Sequence, residues 1–111
     1  MDLGTLRQLI VRFAQRQQNV LRIHIIGALA RGERGPEAPL EILIELDDNL
    51  SPAEGVAIRS RWQGRLASVL PMSVRLHLVG QTERARVHET LRVANICVHE
   101  RTGERMQRTL D

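Results

Sequence analysis

The chain has 111 residues, 42% of them hydrophobic and 26% charged, with a formal net charge of +3. At that length one domain with a single modest core is expected. The mild charge, carried on the basic side entirely by Arg spread along the chain, and the presence of only Phe13 and Trp62 as aromatics argue against a base-stacking nucleic-acid surface.

Residues Asp2–Gln18 carry Leu3, Leu6, Leu9, Ile10, Phe13 and Ala14 at three- and four-residue spacing, with Arg and Gln between them. This is the pattern of an amphipathic helix. Gln17-Gln18-Asn19 breaks it, and Val20–Ile26 follows as a strand with Leu21, Ile23 and Ile25 opposite Arg22, His24 and Ile26. His24 reads as a sheet-face or surface residue. Gly27 ends the strand, where the lack of a side chain permits a sharp turn and lets backbone N–H groups approach an anion. Leu29–Glu33 is expected to form a short helical turn, and Gly35, Pro36 and Pro39 mark the loop beyond it.

Leu40–Leu46 alternates strictly: Leu40, Ile42, Ile44 and Leu46 on one side, Glu41, Leu43 and Glu45 on the other. This is a half-buried strand whose carboxylates are expected on a solvated or edge-facing sheet surface. Asp47-Asp48-Asn49 reads as a polar turn. Ser51-Pro52-Ala53-Glu54 is a strong helix start, with a capping Ser, Pro in the first turn and a reciprocating Glu. The helix should run to about Val69, with Ile58, Trp62, Leu66 and Val69 on its buried stripe. Ser73–Val79 is the next strand, with Val74, Leu76 and Leu78 opposite Arg75 and His77. A helix over Thr82–Ala94, a short strand over Ile96–Glu100 and a polar tail from about residue 101 complete one α+β domain over residues 1–111.

Cys97 is the sole cysteine, which excludes an intrachain disulfide and fits a reducing compartment. Its place in the run Ile96-Cys97-Val98 predicts a buried, inert thiol. No apolar run reaches membrane-spanning length and no signal-peptide core is visible, so a cytoplasmic protein is expected. The four histidines lack paired metal-ligand spacing, and neither a G-x-S-x-G element nor a Walker glycine loop is present.

The stretch Gly27-Ala28-Leu29-Ala30-Arg31-Gly32-Glu33, followed by Pro39-Leu40-Glu41-Ile42-Leu43-Ile44-Glu45, resembles the signature of the minimal nucleotidyltransferases (the MNT group of the DNA polymerase beta superfamily). In that family a strand ends in Gly-Ser, continues as x-Ala-Arg-Gly-Glu, and leads to Asp-x-Asp on the next strand, with a third Asp on a later strand. The framework residues Gly27, Ala30, Arg31, Gly32 and Glu33 match one by one. Ala28 stands in place of the Ser, Pro39 and Glu41 in place of the Asp pair, and His77 at the position of the third Asp. The resemblance implies a small mixed sheet of about four strands packed with helices. It also implies a nucleotide-binding turn at Gly27, Ala28, Arg31 and Gly32, and Glu41 and His77 as what remains of the catalytic positions.

Two-metal nucleotidyl transfer requires carboxylates converging on divalent cations that clamp the reacting oxygens. Pro39 offers no ligand, His77 is a poor magnesium ligand, and Glu45 lies about 13 Å beyond Glu41 on the same strand face. The expectation is therefore a degenerate nucleotidyltransferase-fold protein acting as a binding or regulatory subunit, with no metal or cofactor. Glu41 would be the ligand if there were one. The resemblance points to an antitoxin-like partner of a small helical HEPN-type protein, with self-association as a second form of assembly. The alternative is an active enzyme that uses Mg²⁺ and ATP or another NTP, with Glu41 and either Glu45 or His77 around a metal arranged differently from the family pattern, to place a nucleotide on a protein or small molecule. A small basic nucleic-acid-binding domain is a more distant third reading.

Overall fold

The computed structural model of the protein describes residues 3–17, 19–27, 29–32, 39–47, 49–83 and 96–100. Helix α1 (Leu3–Gln15) buries Leu6, Ile10, Phe13 and Ala14 and leaves Arg7, Gln8 and Arg12 exposed, as its periodicity requires. It stops short of Gln18 because Arg16 and Gln17 fold back onto the carbonyls of Phe13 and Ala14. Strands β1 (Val20–Ile26), β2 (Leu40–Leu46), β3 (Val74–Val79) and β4 (Ile96–Glu100) form one mixed sheet in the order β3-β2-β1-β4. β1 is antiparallel to both β2 and β4, whereas β2 and β3 run parallel, joined through helix α2 (Pro52–Val69). A parallel pair needs such a crossover, and a helix supplies it.

Both helices cover the same sheet face, α1 toward β4 and α2 toward β3. The core between them holds Ile23, Ile25, Ile42 and Ile44, each wholly buried, with Leu40, Leu46, Val74 and Leu76. Phe13 and Trp62 meet edge to face across the two helices at 5.6 Å, the arrangement that ring quadrupoles favour. α2 begins with the predicted capping box: the Ser51 hydroxyl accepts from the Glu54 N–H, and the Glu54 carboxylate accepts from the Ser51 N–H.

Several expectations fail, each for a local reason. The β1–β2 register shifts between Val20 and Arg22, so Val20 takes a place in the main core and Leu21 is buried outside it. A bulge of this kind reverses side-chain alternation. Val69 is 51% exposed, because the last turn of α2 carries its buried stripe through Leu66 to Leu70; Ile58 is only partly buried. Cys97 is exposed rather than buried, since β4 lies at the edge of the sheet. Gln81–Glu83 forms a single 3-10 turn where a helix was expected to begin, and the rest of that helix lies outside the described residues, as do Ala28, Glu33 and the tail.

Candidate functional site

The second face of the sheet carries Arg22, His24, Glu41, Glu45, Arg75 and His77, and the strand register fixes their arrangement. Ile26 lies opposite Glu41, and Glu41 lies opposite Arg75. His24 lies opposite Leu43, which lies opposite His77; Arg22 lies opposite Glu45. Two clusters result, at opposite ends of β2.

The first cluster joins the residues singled out by the sequence motif. Pro39 stands immediately before β2; lacking an N–H, it leaves the ladder to begin at Leu40, whose N–H donates to the Ser73 carbonyl at 2.8 Å. Glu41 is the first outward-facing residue of the strand. Its carboxylate lies against Gly27, so a Cβ built on Gly27 would run into it. Gly27 is thus required twice, by this approach and by its φ of +75°. Beyond it the chain winds through one helical turn, with the Arg31 N–H on the Gly27 carbonyl and the Gly32 N–H on Leu29, and Gly32 also takes a positive φ of 78°. On the other side of Glu41, Oε1 stands 3.5 Å from His77 Nε2. That nitrogen is screened from solvent and has no hydrogen-bond partner among the described residues, although the imidazole as a whole is 41% exposed. Arg31 and Arg75 are exposed.

Gly27, Glu41 and His77 therefore lie together, with Pro39 two residues before Glu41 in sequence. Among the described residues the donors at this place are fewer than a pair of divalent cations takes. Magnesium ions in two-metal sites take several hard oxygens. Here β2 offers one carboxylate, Glu41, and β3 one imidazole, His77, and no group of three or more His, Cys, Asp or Glu converges among the described residues.

The second cluster was not anticipated. Glu45 is 1% exposed, held by His24 at 2.5 Å and by Arg22 at 3.4 Å; Arg22 also reaches Glu100 on β4 at 3.6 Å. The expectation of a solvated or edge-facing Glu45 is corrected: it is buried, and the β1–β2 register sets it against His24 and Arg22. His24 is on the sheet face as expected, but buried. The signal in the sequence was the presence of Arg22 and His24 two residues apart on one strand and a carboxylate at the far end of the next. Without the register it could not be read. The arrangement neutralises a buried carboxylate, which is a structural task.

No family model matches the chain, and no curated protein matches it. Solved structures do. The chain is similar to one in a variant of the MntA–HpeT toxin–antitoxin complex, with 15% identity over 89% of this chain and 76% of that one, and a TM-score of 0.65. It is similar to one in the complex of tri-AMPylated HEPN toxin of Shewanella oneidensis with MNT antitoxin, with 12% identity over 94% of this chain and 77% of that one, and a TM-score of 0.63. A candidate nucleotidyltransferase from Sulfolobus solfataricus aligns with 17% identity over 88% of this chain and 80% of that one, at a TM-score of 0.62. The four-strand mixed sheet with its two helices is the nucleotidyltransferase-like α+β fold of these neighbours.

Proposed function

We propose that this chain is a nucleotidyltransferase-fold binding subunit, antitoxin-like, that holds a small helical HEPN-type protein without transferring nucleotide to it. The observation that carries the reading is the meeting of Glu41 with His77 beside Gly27, with Pro39 in place of a further donor. A centre that would gather cations has become an imidazole facing one carboxylate. The partner class follows from neighbours solved as toxin–antitoxin complexes, one of them with an HEPN toxin. No helix among the described residues is long and apolar enough to cross a membrane, and a protein partner in solution suits that.

The test is coexpression with a HEPN-type protein, size-exclusion chromatography, and intact-mass measurement of that protein after incubation with Mg²⁺ and ATP. A stable complex with no added mass is expected. No co-elution overturns the binding role. A gain of one or more nucleotide masses favours the second reading, an active transferase that uses Glu41 and His77; their convergence beside the turn is what recommends it.

A further inference from the structure

The disagreement between this donor set and a divalent-cation pair has a geometric counterpart at Gly27. A glycine at positive φ opens a backbone turn to close approach, and in this chain the group that approaches is the chain's own carboxylate. Glu41 lies on Gly27 from the neighbouring strand, and His77 faces its Oε1 from the strand beyond. Arg75, opposite Glu41 in the register, is exposed, so the surroundings carry positive charge that an incoming anion could use. What opposes such an anion is the Glu41 carboxylate, by bulk and by like charge at short range.

We propose that Glu41 is the resident occupant of the Gly27 turn, steadied by His77, and that it excludes a polyphosphate anion which the turn would otherwise take without a divalent cation. This rests on the reading of the chain as a non-catalytic subunit and assigns its vestigial site a closed state. It reverses the sign of one effect. Where a carboxylate recruits cations for a nucleotide, removing it weakens nucleotide binding. Here, removing it strengthens binding, and no metal is involved.

The probes are inorganic tripolyphosphate and ATP in the presence of EDTA, titrated into the full chain and followed by calorimetry and by the amide resonances of Gly27 and residues 29–32. Glu41→Ala is expected to bind both anions at least about tenfold more tightly than the wild type, as loss of a close like charge would produce. Replacing EDTA with Mg²⁺ should leave the wild-type affinity unchanged. Equal or weaker binding by the variant overturns the proposal, and so does Mg²⁺-dependent binding by the wild type that Glu41→Ala abolishes.

A second measurement needs no ligand. In a double-mutant cycle on unfolding stability, Gly27→Ala should cost less in the Glu41→Ala background than alone, because the new methyl no longer meets the carboxylate. Additive costs would show that the two residues do not touch. Neither readout involves the partner protein, so a failed complex in chromatography and a failed gain in anion affinity report on different claims.

Discussion

His24 and Glu45 hold each other beneath the polar face of the sheet, Nε2 to Oε2 at 2.5 Å, with both residues buried. Arg22 reaches the other carboxylate oxygen at 3.4 Å from the same strand as His24. Removing Glu45 leaves the buried His24 imidazole without this partner, while Arg22 keeps Glu100 on β4. Glu45→Ala should therefore lower unfolding stability by about 3 kcal/mol, read from urea denaturation at neutral pH. Glu45→Gln should cost less, because the amide oxygen still accepts hydrogen bonds.

Trp62 is the largest fully buried side chain and lies on the face of α2 that meets the sheet. Trp62→Ala should destabilise by about 3–5 kcal/mol through lost burial and the cavity left behind. Phe13→Leu removes the edge-to-face contact but keeps much of the volume, and should cost only about 1–2 kcal/mol. Circular dichroism against urea concentration gives both values, with the shift in midpoint ordering the two variants.

Two glycines have positive φ and different surroundings. Gly32 has open space where a Cβ would go; Gly27 has the Glu41 side chain. Gly32→Ala should cost about 1 kcal/mol from backbone strain alone. Gly27→Ala should cost measurably more, since either the carboxylate or the turn must move. Thermal unfolding of the two single variants under one condition decides this, and equal costs would count against the close approach.

Glu54 has its carboxyl pKa lowered, first by the hydrogen bond from the Ser51 backbone and then by the Ser51 side chain. A carboxyl lowered in the folded state contributes stability above its ordinary value of 4.5, and that contribution disappears as pH falls through the folded pKa. The stability difference between wild type and Glu54→Gln should be present at pH 7 and close on acidification below that range. Ser51→Ala, which removes the cap at any pH, should cost about 1 kcal/mol.

The strands were legible because their alternation is strong. Leu40, Ile42, Ile44 and Leu46 face the helices as their spacing demands, and Leu6, Ile10 and Phe13 do so from α1. The capping box at Ser51 and Glu54 could be read residue by residue. What could not be read was anything set by pairing. Local periodicity says which residues share a face, but not which strands pair or in what register, and it is the register of β1 on β2 that brings His24 and Arg22 to Glu45. Cys97 was misjudged for the same reason: an apolar triplet looks alike in an inner strand and an edge strand. The site stood between these cases. Only the family resemblance implied that Gly27, Glu41 and His77 belong together, while the approach of Glu41 to the Gly27 backbone depends on the pairing of Ile26 with Glu41.

β2 is laddered to β1 along one edge and to β3 along the other, so the peptide groups carrying Glu41 are locked on both sides. Any movement of the Glu41 carboxylate off Gly27 must then come from rotation about side-chain bonds, one of the quickest motions a protein makes. The amide protons of Leu40–Leu46 should accordingly resist exchange with deuterated solvent throughout, indifferent to whether anything has docked a few ångströms away.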